Sequence, residues 1–409
     1  MFSQNGNRHT VSDHHRPIRD ITDDVLSRIE EGAFERELNH TSPVDAFAMI
    51  QEARLGALRI PADLGGYGIG LVTFFEFLMR LATVDPNVAH ALRAHYVFVD
   101  ERLFEFRRGQ ERLWLDHIVA GDLFGNANTE LTAKQAAGLE PSRFQARLSA
   151  DGDEYRLNGT KFYSTGSLYR QWVVVSAVND AGAVVRAIVP TNRDGVRIDD
   201  DWDGIGQRLT ASGTAVFDNV RVYTHEVFIR QAGHVDGYGS PMAQLYLTAV
   251  TAGILEAINR DAVTVLRGRT RTFAHGVGSS AKDDPLLQHV VGQLASDAFA
   301  GRAVVLEAAR ALADAAETVM ADGVGDKSLL EAAKMACAKA KVTIENLVSR
   351  SGWQLFDVAG ASATLRTKNL DRHWRNARTI ASHNPVLYKT RALGDYLVNG
   401  DPLPRGSAF

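Results

Sequence analysis

The residues best suited to chemistry in this 409-residue chain lie in one short C-terminal run, Asp371-Arg-His-Trp-Arg-Asn-Ala-Arg-Thr-Ile-Ala-Ser-His-Asn-Pro-Val386. Arg, His and Asn supply hydrogen-bond donors and positive charge, which suit an anionic ligand or an anion that develops during a reaction. The run contains no glutamate, and none occurs anywhere after Glu345. Other candidates are scattered. His95 stands in Leu92-Arg-Ala-His-Tyr96, where the alternative is a satisfied helix histidine. Asn126 stands in Phe124-Gly-Asn-Ala127, and Ser164 and Thr165 end a strand pattern before Gly166. Phe162, Tyr163 and Trp202 suit a flat aromatic wall or plain core packing. Arg269 and Arg271 follow a long helical pattern, where they could hold a phosphate or end a solvated helix. Small residues in Phe356–Ser362, Gly360 and Ala361 among them, permit close backbone approach.

The elements that must position these groups have three different periodicities. Residues 17–120 carry apolar residues at helical spacing, such as Val25, Leu26, Ile29 and then Phe74, Phe75, Phe77, Leu78, Leu81. Between them, Pro61–Gly68 has the glycines of a phosphate loop but neither a preceding strand nor the lysine, so a turn is expected. From residue 121 to 228 the pattern alternates, with a turn expected at Asp151-Gly-Asp153 and hairpins at Asn158-Gly159 and Asn179-Asp-Ala-Gly182. Residues 229–409 return to helix, over Ala243–Arg267, Pro285–Met320, Ser328–Arg350 and Asn384–Val398. The expected architecture is an α+β multidomain chain. A disordered tail (1–16) precedes an N-terminal helical domain (17–120), a central antiparallel β-barrel (121–228) and a C-terminal four-helix bundle (229–409).

Composition removes other classes. A net charge of −4 and 45% hydrophobic residues fit a globular protein with a large core and argue against a nucleic-acid or anionic-membrane surface. The single cysteine, Cys337, excludes an intrachain disulfide. No apolar run reaches membrane-spanning length, and the polar N-terminus lacks a signal core, so a cytoplasmic location is expected. His9, His14 and His15 sit in that tail, and no metal site is expected.

Two segments of the middle region carry a resemblance. Tyr155-Arg-Leu-Asn-Gly-Thr-Lys-Phe-Tyr-Ser-Thr-Gly166 is one, and Asp200-Asp-Trp-Asp-Gly-Ile-Gly-Gln-Arg-Leu-Thr-Ala-Ser-Gly-Thr214 is the other. With the domain order and Arg372-His-Trp-Arg-Asn-Ala-Arg378, they resemble the acyl-CoA dehydrogenase superfamily. The likeness is closest to its flavin-dependent monooxygenase branch, which includes the dibenzothiophene monooxygenases and sulfur-acquisition oxidoreductases. The resemblance implies a homotetramer with a flavin between the β domain and the bundle. It implies reduced FMN delivered by a separate NAD(P)H:flavin reductase, O2, and a small organic substrate, an organosulfur compound among the options. His95, Asn126, Ser164 and His383 match positions near the flavin face, where they would stabilise or protonate a C4a-hydroperoxide. Phe162, Tyr163, Ser164, Thr165, Trp202, Arg271, Gly360, Ala361 and Arg366 would hold or enclose the flavin.

An FAD-dependent acyl-CoA dehydrogenase on the same scaffold needs a carboxylate to take the substrate's α-proton. The two places where the family keeps it read Ala381-Ser-His-Asn-Pro385 and Gln244-Leu-Tyr246, and Glu256 lies turns away. A flavin-binding scaffold without turnover is the other alternative. The segment Asn128–Gln135 departs from the dibenzothiophene enzymes, which argues against that substrate.

Overall fold

The computed structural model describes residues 17–131, 144–229, 235–404, 406 and 409. Six helices come first: α1 (Ile18–Asn39), α2 (Val44–Glu52), α3 (Leu71–Val84), α4 (Pro86–Ala91), α5 (Arg93–Phe106) and α6 (Leu113–Ala120). Pro61–Gly68 forms only a short helical turn and loop before α3, as expected. Eight strands follow: β1 (Phe124–Ala127), β2 (Arg147–Asp151), β3 (Glu154–Lys161), β4 (Trp172–Asn179), β5 (Val184–Pro190), β6 (Val196–Ile198), β7 (Ala215–Val222) and β8 (Val227–Phe228). The last helices are α7 (Ser240–Gly268), α8 (Pro285–Asp322), α9 (Lys327–Ala359), α10 (Arg372–Ala381) and α11 (Val386–Asn399).

Local chemistry sets the boundaries. Asp85 accepts from the Asn87 and Val88 amides to cap α4, and Pro86 fills its first turn. Asp284 and Asp326 cap α8 and α9 in the same way. In Phe356–Ser362, α9 runs through Phe356 to Ala359 and stops at Gly360, whose φ of 68° suits glycine. The run 371–386 contains the separate helix α10, which helical periodicity alone did not mark.

The sheet differs from the expected antiparallel barrel. Its order is β6-β7-β3-β2-β4-β5-β8, with β1 also on β4, and among the described residues β6 and β8 do not pair. β4 is parallel to both β1 and β2, so the sheet is mixed. Asn179–Gly182 makes the expected β4–β5 hairpin, and Asp151–Asp153 joins β2 to β3. Asn158-Gly159 is not a hairpin. It forms a bulge inside β3, where pairing with β7 shifts between Leu157 and Gly159. A side chain on Gly159 would meet Ala146 at 2.5 Å, and Asn158 Oδ1 accepts from the Asn219 amide. Glycine is there for close backbone approach, not for a turn.

Most of the helices share one hydrophobic core that runs from Leu26, Phe74 and Leu78 to Leu245, Leu255, Leu312 and Ile344, while Phe98 of α5 and Trp114 and Ile118 of α6 pack on Phe124, Val174 and Ile188 of the sheet in another. α7, α8 and α9 pack on one another, α3 packs on α7 and α8, and α11 rests on α9. α7 is buried on nearly all sides. It is long and apolar enough to cross a membrane, but 89% of its apolar window is covered by protein, so it is a core helix. The sheet has its own core, including Leu148, Leu157, Val175 and Phe217.

Candidate functional site

The two sequence signatures meet at Gln207. Its φ is 52°, and its carbonyl accepts from Trp202 Nε1 at 3.0 Å and Thr210 Oγ1 at 2.8 Å. Its amide donates to Asn376 Oδ1 on α10 at 2.5 Å, and Arg375 Nη1 donates to the Ile205 carbonyl at 3.0 Å. Gly206 lets this contact form, because a Cβ there would stand 2.1 Å from the Arg375 carbonyl. The side chain of Gln207 faces α4, where its Oε1 accepts from His90 Nδ1 at 2.9 Å. Its Nε2 is buried and has no hydrogen-bond partner. Burial, followed by the charge of Arg93, lowers the His90 pKa to about 4.

The end of β3 lies beside this loop. The Ser164 amide donates to the Gly213 carbonyl and the Gly166 amide to the Thr210 carbonyl. Three hydroxyls form a chain, Thr165 to Ser212 at 2.9 Å and Ser212 to Thr210 at 2.7 Å. Thr210 donates to the Gln207 carbonyl, so Ser212 must donate to Thr210 and Thr165 to Ser212. That order leaves only lone pairs free on Thr165 Oγ1. Ser164 Oγ is buried without a partner. Ser167 connects Ser164 to β1: its amide donates to the Ser164 carbonyl, and its hydroxyl donates to the Asn126 carbonyl. Tyr163, at φ 56° and 47% exposed, meets both Phe162 and Trp202 edge-on, so the three candidate aromatics form one group.

His383 occupies the turn between α10 and α11. Arg93 Nη1 lies 3.3 Å from His383 Nε2, and a guanidinium only donates, so that nitrogen accepts and the proton sits on Nδ1. Arg93 Nε donates to the Ala243 carbonyl at 3.0 Å, and Asn384 donates to Gln244 Oε1. His383 is exposed to solvent along part of its surface, yet many protein atoms surround it. Desolvation, then the nearby Arg93, His90 and Lys341, holds its pKa well below the usual value. The ionisable groups that act on it most are basic side chains. Neither position expected for a dehydrogenase base holds a carboxylate, and Glu256 is exposed.

His95 is placed differently. It is completely buried, Nε2 donates to the Gly56 carbonyl at 3.0 Å, and Nδ1 accepts from the Phe124 amide at 3.2 Å. Burial lowers its pKa to about 3. Helix residues two apart do not share a face, so Arg93 reaches His383 while His95 points away to β1. His95 thus fits the satisfied-histidine alternative, anchoring the strand that carries Asn126. His90 and Arg93, which sequence reasoning passed over, face His383 instead. Their i, i+3 spacing was the available signal.

The candidate phosphate residues lie at the far end of α7. Arg269 Nη1 donates to the Val358 carbonyl at 2.9 Å, and its guanidinium lies 3.2 Å from where a Cβ on Gly360 would be. Arg269 Nε donates to the Arg271 carbonyl, and the Arg271, Ala361 and Arg366 side chains are exposed. α7 separates this group from Ala243 and Gln244 by roughly 40 Å, at 1.5 Å per residue. One chain therefore presents the ring-edge and phosphate candidates as two groups. His373, with Arg372, binds Asp261 of α7 and fixes α10 rather than facing His383. Among the described residues no group of His, Cys, Asp and Glu could hold a metal.

Comparison with known proteins gives this geometry a context. Residues 128–220 match the acyl-CoA dehydrogenase middle domain, and residues 245–387 match its C-terminal domain. The probable FMNH2-dependent monooxygenase SfnC of Pseudomonas putida is 28% identical over 406 residues, covering 96% of this chain and 98% of that protein. A dibenzothiophene monooxygenase of Rhodococcus erythropolis is 29% identical over 373 residues, 87% of each chain. TdsC from Paenibacillus sp. A11-2, solved with FMN and indole, superposes with a TM-score of 0.84 at 25% identity, covering 96% of this chain and 99% of that one. Methanesulfinate monooxygenase MsuC of Pseudomonas fluorescens also gives 0.84 at 25% identity, over 96% and 100%. The two domain matches together span more than half of the residues, and the chain belongs to the acyl-CoA dehydrogenase superfamily, in its flavin-dependent monooxygenase branch.

Proposed function

We propose that this protein is the oxygenase component of a two-component flavin-dependent monooxygenase, inserting one atom of O2 into a small organic substrate, an organosulfur compound first among them. The observation that carries this reading is the His383 surround: a neutral imidazole with Arg93, His90 and Lys341 near it and no carboxylate where a dehydrogenase needs its base. The relatives named for FMNH2-dependent and dibenzothiophene oxygenation support the same chemistry. An FAD-dependent acyl-CoA dehydrogenase would lack its proton acceptor.

The residues present fit FMN. Ser164 Oγ and Gln207 Nε2 are buried donors without protein partners, and Thr165 Oγ1 has free lone pairs. Phe162, Tyr163 and Trp202 would enclose the ring. Bound reduced FMN supplies the activation of O2, and a separate NAD(P)H:flavin reductase supplies the reduced FMN. His383 donates from Nδ1, and Asn126 and Ser164 keep polar groups near the ring edge, while His95 holds β1 in place. The phosphate would meet Arg271, Gly360, Ala361 and Arg366 of another copy, because α7 is longer than an extended FMN. That geometry supports a homotetramer. The finer domain plan belongs to the same reading: helical residues 17–120, a barrel-like β domain at 121–228, a four-helix bundle at 229–409, and a cytoplasmic location. Of the departing segment Asn128–Gln135, residues 132–135 lie outside the described residues.

The experiment mixes the purified protein with photoreduced FMN and 18O2 and a panel of sulfides, sulfinates, amines and aromatics. Product carrying one 18O atom is expected. If no substrate is oxygenated and FAD copurifies and is bleached by an acyl-CoA, the reading fails. Tight FMN binding without any product would mark a flavin-binding scaffold instead.

A further inference from the structure

Among the described residues Arg93 pairs with no carboxylate. Arginines of low exposure elsewhere in the fold pair with carboxylates: Arg36 with Asp85, Arg59 with Asp100, Arg186 with Glu101, Arg193 with Glu226. Arg170 is a further exception, but it is enclosed, donating to the Tyr169 and Ala91 carbonyls over the Phe47 ring. Arg93 is half-buried and open on one side. Of its five N–H donors, one goes to the Ala243 carbonyl and one to His383. The Nη2 group makes no hydrogen bond among the described residues. Desolvation lowers its pKa to about 10, opposed only by Tyr246.

A desolvated charge is costly unless an anion meets it. Among the described residues no carboxylate does so: the neighbouring His90 and His383 are neutral imidazoles, and Glu345 is taken up by Lys341. Through His90 and Gln207 the guanidinium connects to the loop that carries the orphaned Gln207 Nε2, so the anion would lie next to the candidate ring site.

We infer that Arg93 is a specificity-determining residue that takes the oxyanion of a small acidic substrate, a sulfinate, sulfonate or carboxylate, through its free Nη2 edge. This rests on the monooxygenase reading and narrows its substrate from any small organic molecule to an anion. His383 then has a second task, holding the guanidinium on the side away from the ligand.

The test uses propanesulfinate and its neutral counterpart methyl propyl sulfoxide, titrated by calorimetry into the full-length protein at low and high salt. Wild type should bind the sulfinate more tightly than the sulfoxide, and more weakly as salt rises. Arg93→Met should weaken sulfinate binding about 10- to 100-fold, the scale of a lost charge-assisted contact. Arg93→Lys should recover part of the loss, which a purely structural role would not give. The inference is overturned if wild type prefers the sulfoxide, or if folded Arg93→Met binds the sulfinate as wild type does. The 18O assay on wild type separates the two ideas. Sulfinate binding through Arg93 without oxygenation sinks the monooxygenase reading alone, and oxygenation of neutral substrates with the sulfinate ignored sinks only this inference.

Discussion

Gly206→Ala tests whether the site depends on contact between the Gln207 loop and α10. The φ of Gly206 is not left-handed, so an alanine there would carry no backbone strain of its own. The difficulty is space. The new methyl would stand 2.1 Å from the Arg375 carbonyl oxygen, 2.3 Å from its carbon and 2.6 Å from the Asn376 nitrogen. These are backbone atoms of a helix that Arg372 and His373 tie to Asp261, so they cannot turn aside. Loop and helix must separate, at an overpacking cost of about 1–3 kcal/mol. Separation also breaks the Gln207–Asn376 and Arg375–Ile205 hydrogen bonds, worth about 1 kcal/mol each. The expected loss is about 3–5 kcal/mol, a large share of an ordinary folding free energy of about 5–15 kcal/mol. Urea denaturation and FMN titration should therefore both change, with a lower midpoint and weaker flavin binding. Gly70→Ala is the control, since nothing lies within 4 Å of its added Cβ. A Gly206→Ala protein as stable as the Gly70→Ala protein, with wild-type FMN affinity, would refute the reasoning.

His383→Ala should lower the oxygenated product formed per FMNH2 consumed and raise hydrogen peroxide release, while circular dichroism stays that of wild type. Unchanged coupling removes His383 from the chemistry. His90 is held neutral with a pKa of about 4, so its contribution to stability is complete above pH 6.5 and declines as pH falls toward 4. The stability gap between wild type and His90→Asn should shrink by about 2 kcal/mol between pH 7.5 and pH 4.5, measured by urea unfolding. A constant gap counts against the neutral imidazole. Glu130→Ala leaves Lys161 charged and buried without its 2.6 Å partner, and should cost about 3–5 kcal/mol. A loss under about 1 kcal/mol would show that the pair is unimportant.

Periodicity made most of the fold legible. The helical start, the alternating middle and the long final helices follow from where apolar residues recur, and Asp-Pro and Gly mark several ends. What periodicity did not show was pairing between distant strands. β1 joins β4 in parallel after an intervening hairpin, and a local pattern says nothing about such a partner. Asn158-Gly159 misled because the dipeptide suits a turn by its own geometry, while Ala146 packing decides its use here. At the site, the family resemblance brought Trp202–Ser212 and Arg372–Arg378 forward, and they do meet at Gln207 and Asn376. His95 was chosen over His90 and Arg93 by local motif, but which helix face meets the turn at His383 depends on how α5 is rotated. That rotation is set by packing, which one sequence does not record.

The shared helical core also fixes an order of assembly. α3 finishes at Val84, yet its buried face is completed by α7 and α8, with Thr83 bonded to Gly253 and Ala82 against it. The strands between can close their own core from residues 127 to 222 as soon as they are synthesised. At 5–20 residues per second, Phe74, Phe77 and Leu78 wait roughly 10–50 seconds on the ribosome for their partners. During that interval α1 and Tyr96 of α5 can cover only part of the phenylalanine-rich surface of α3. A part-covered apolar face of this kind is what chaperones bind, so slower translation is expected to lower yield without changing the stability of the finished molecule.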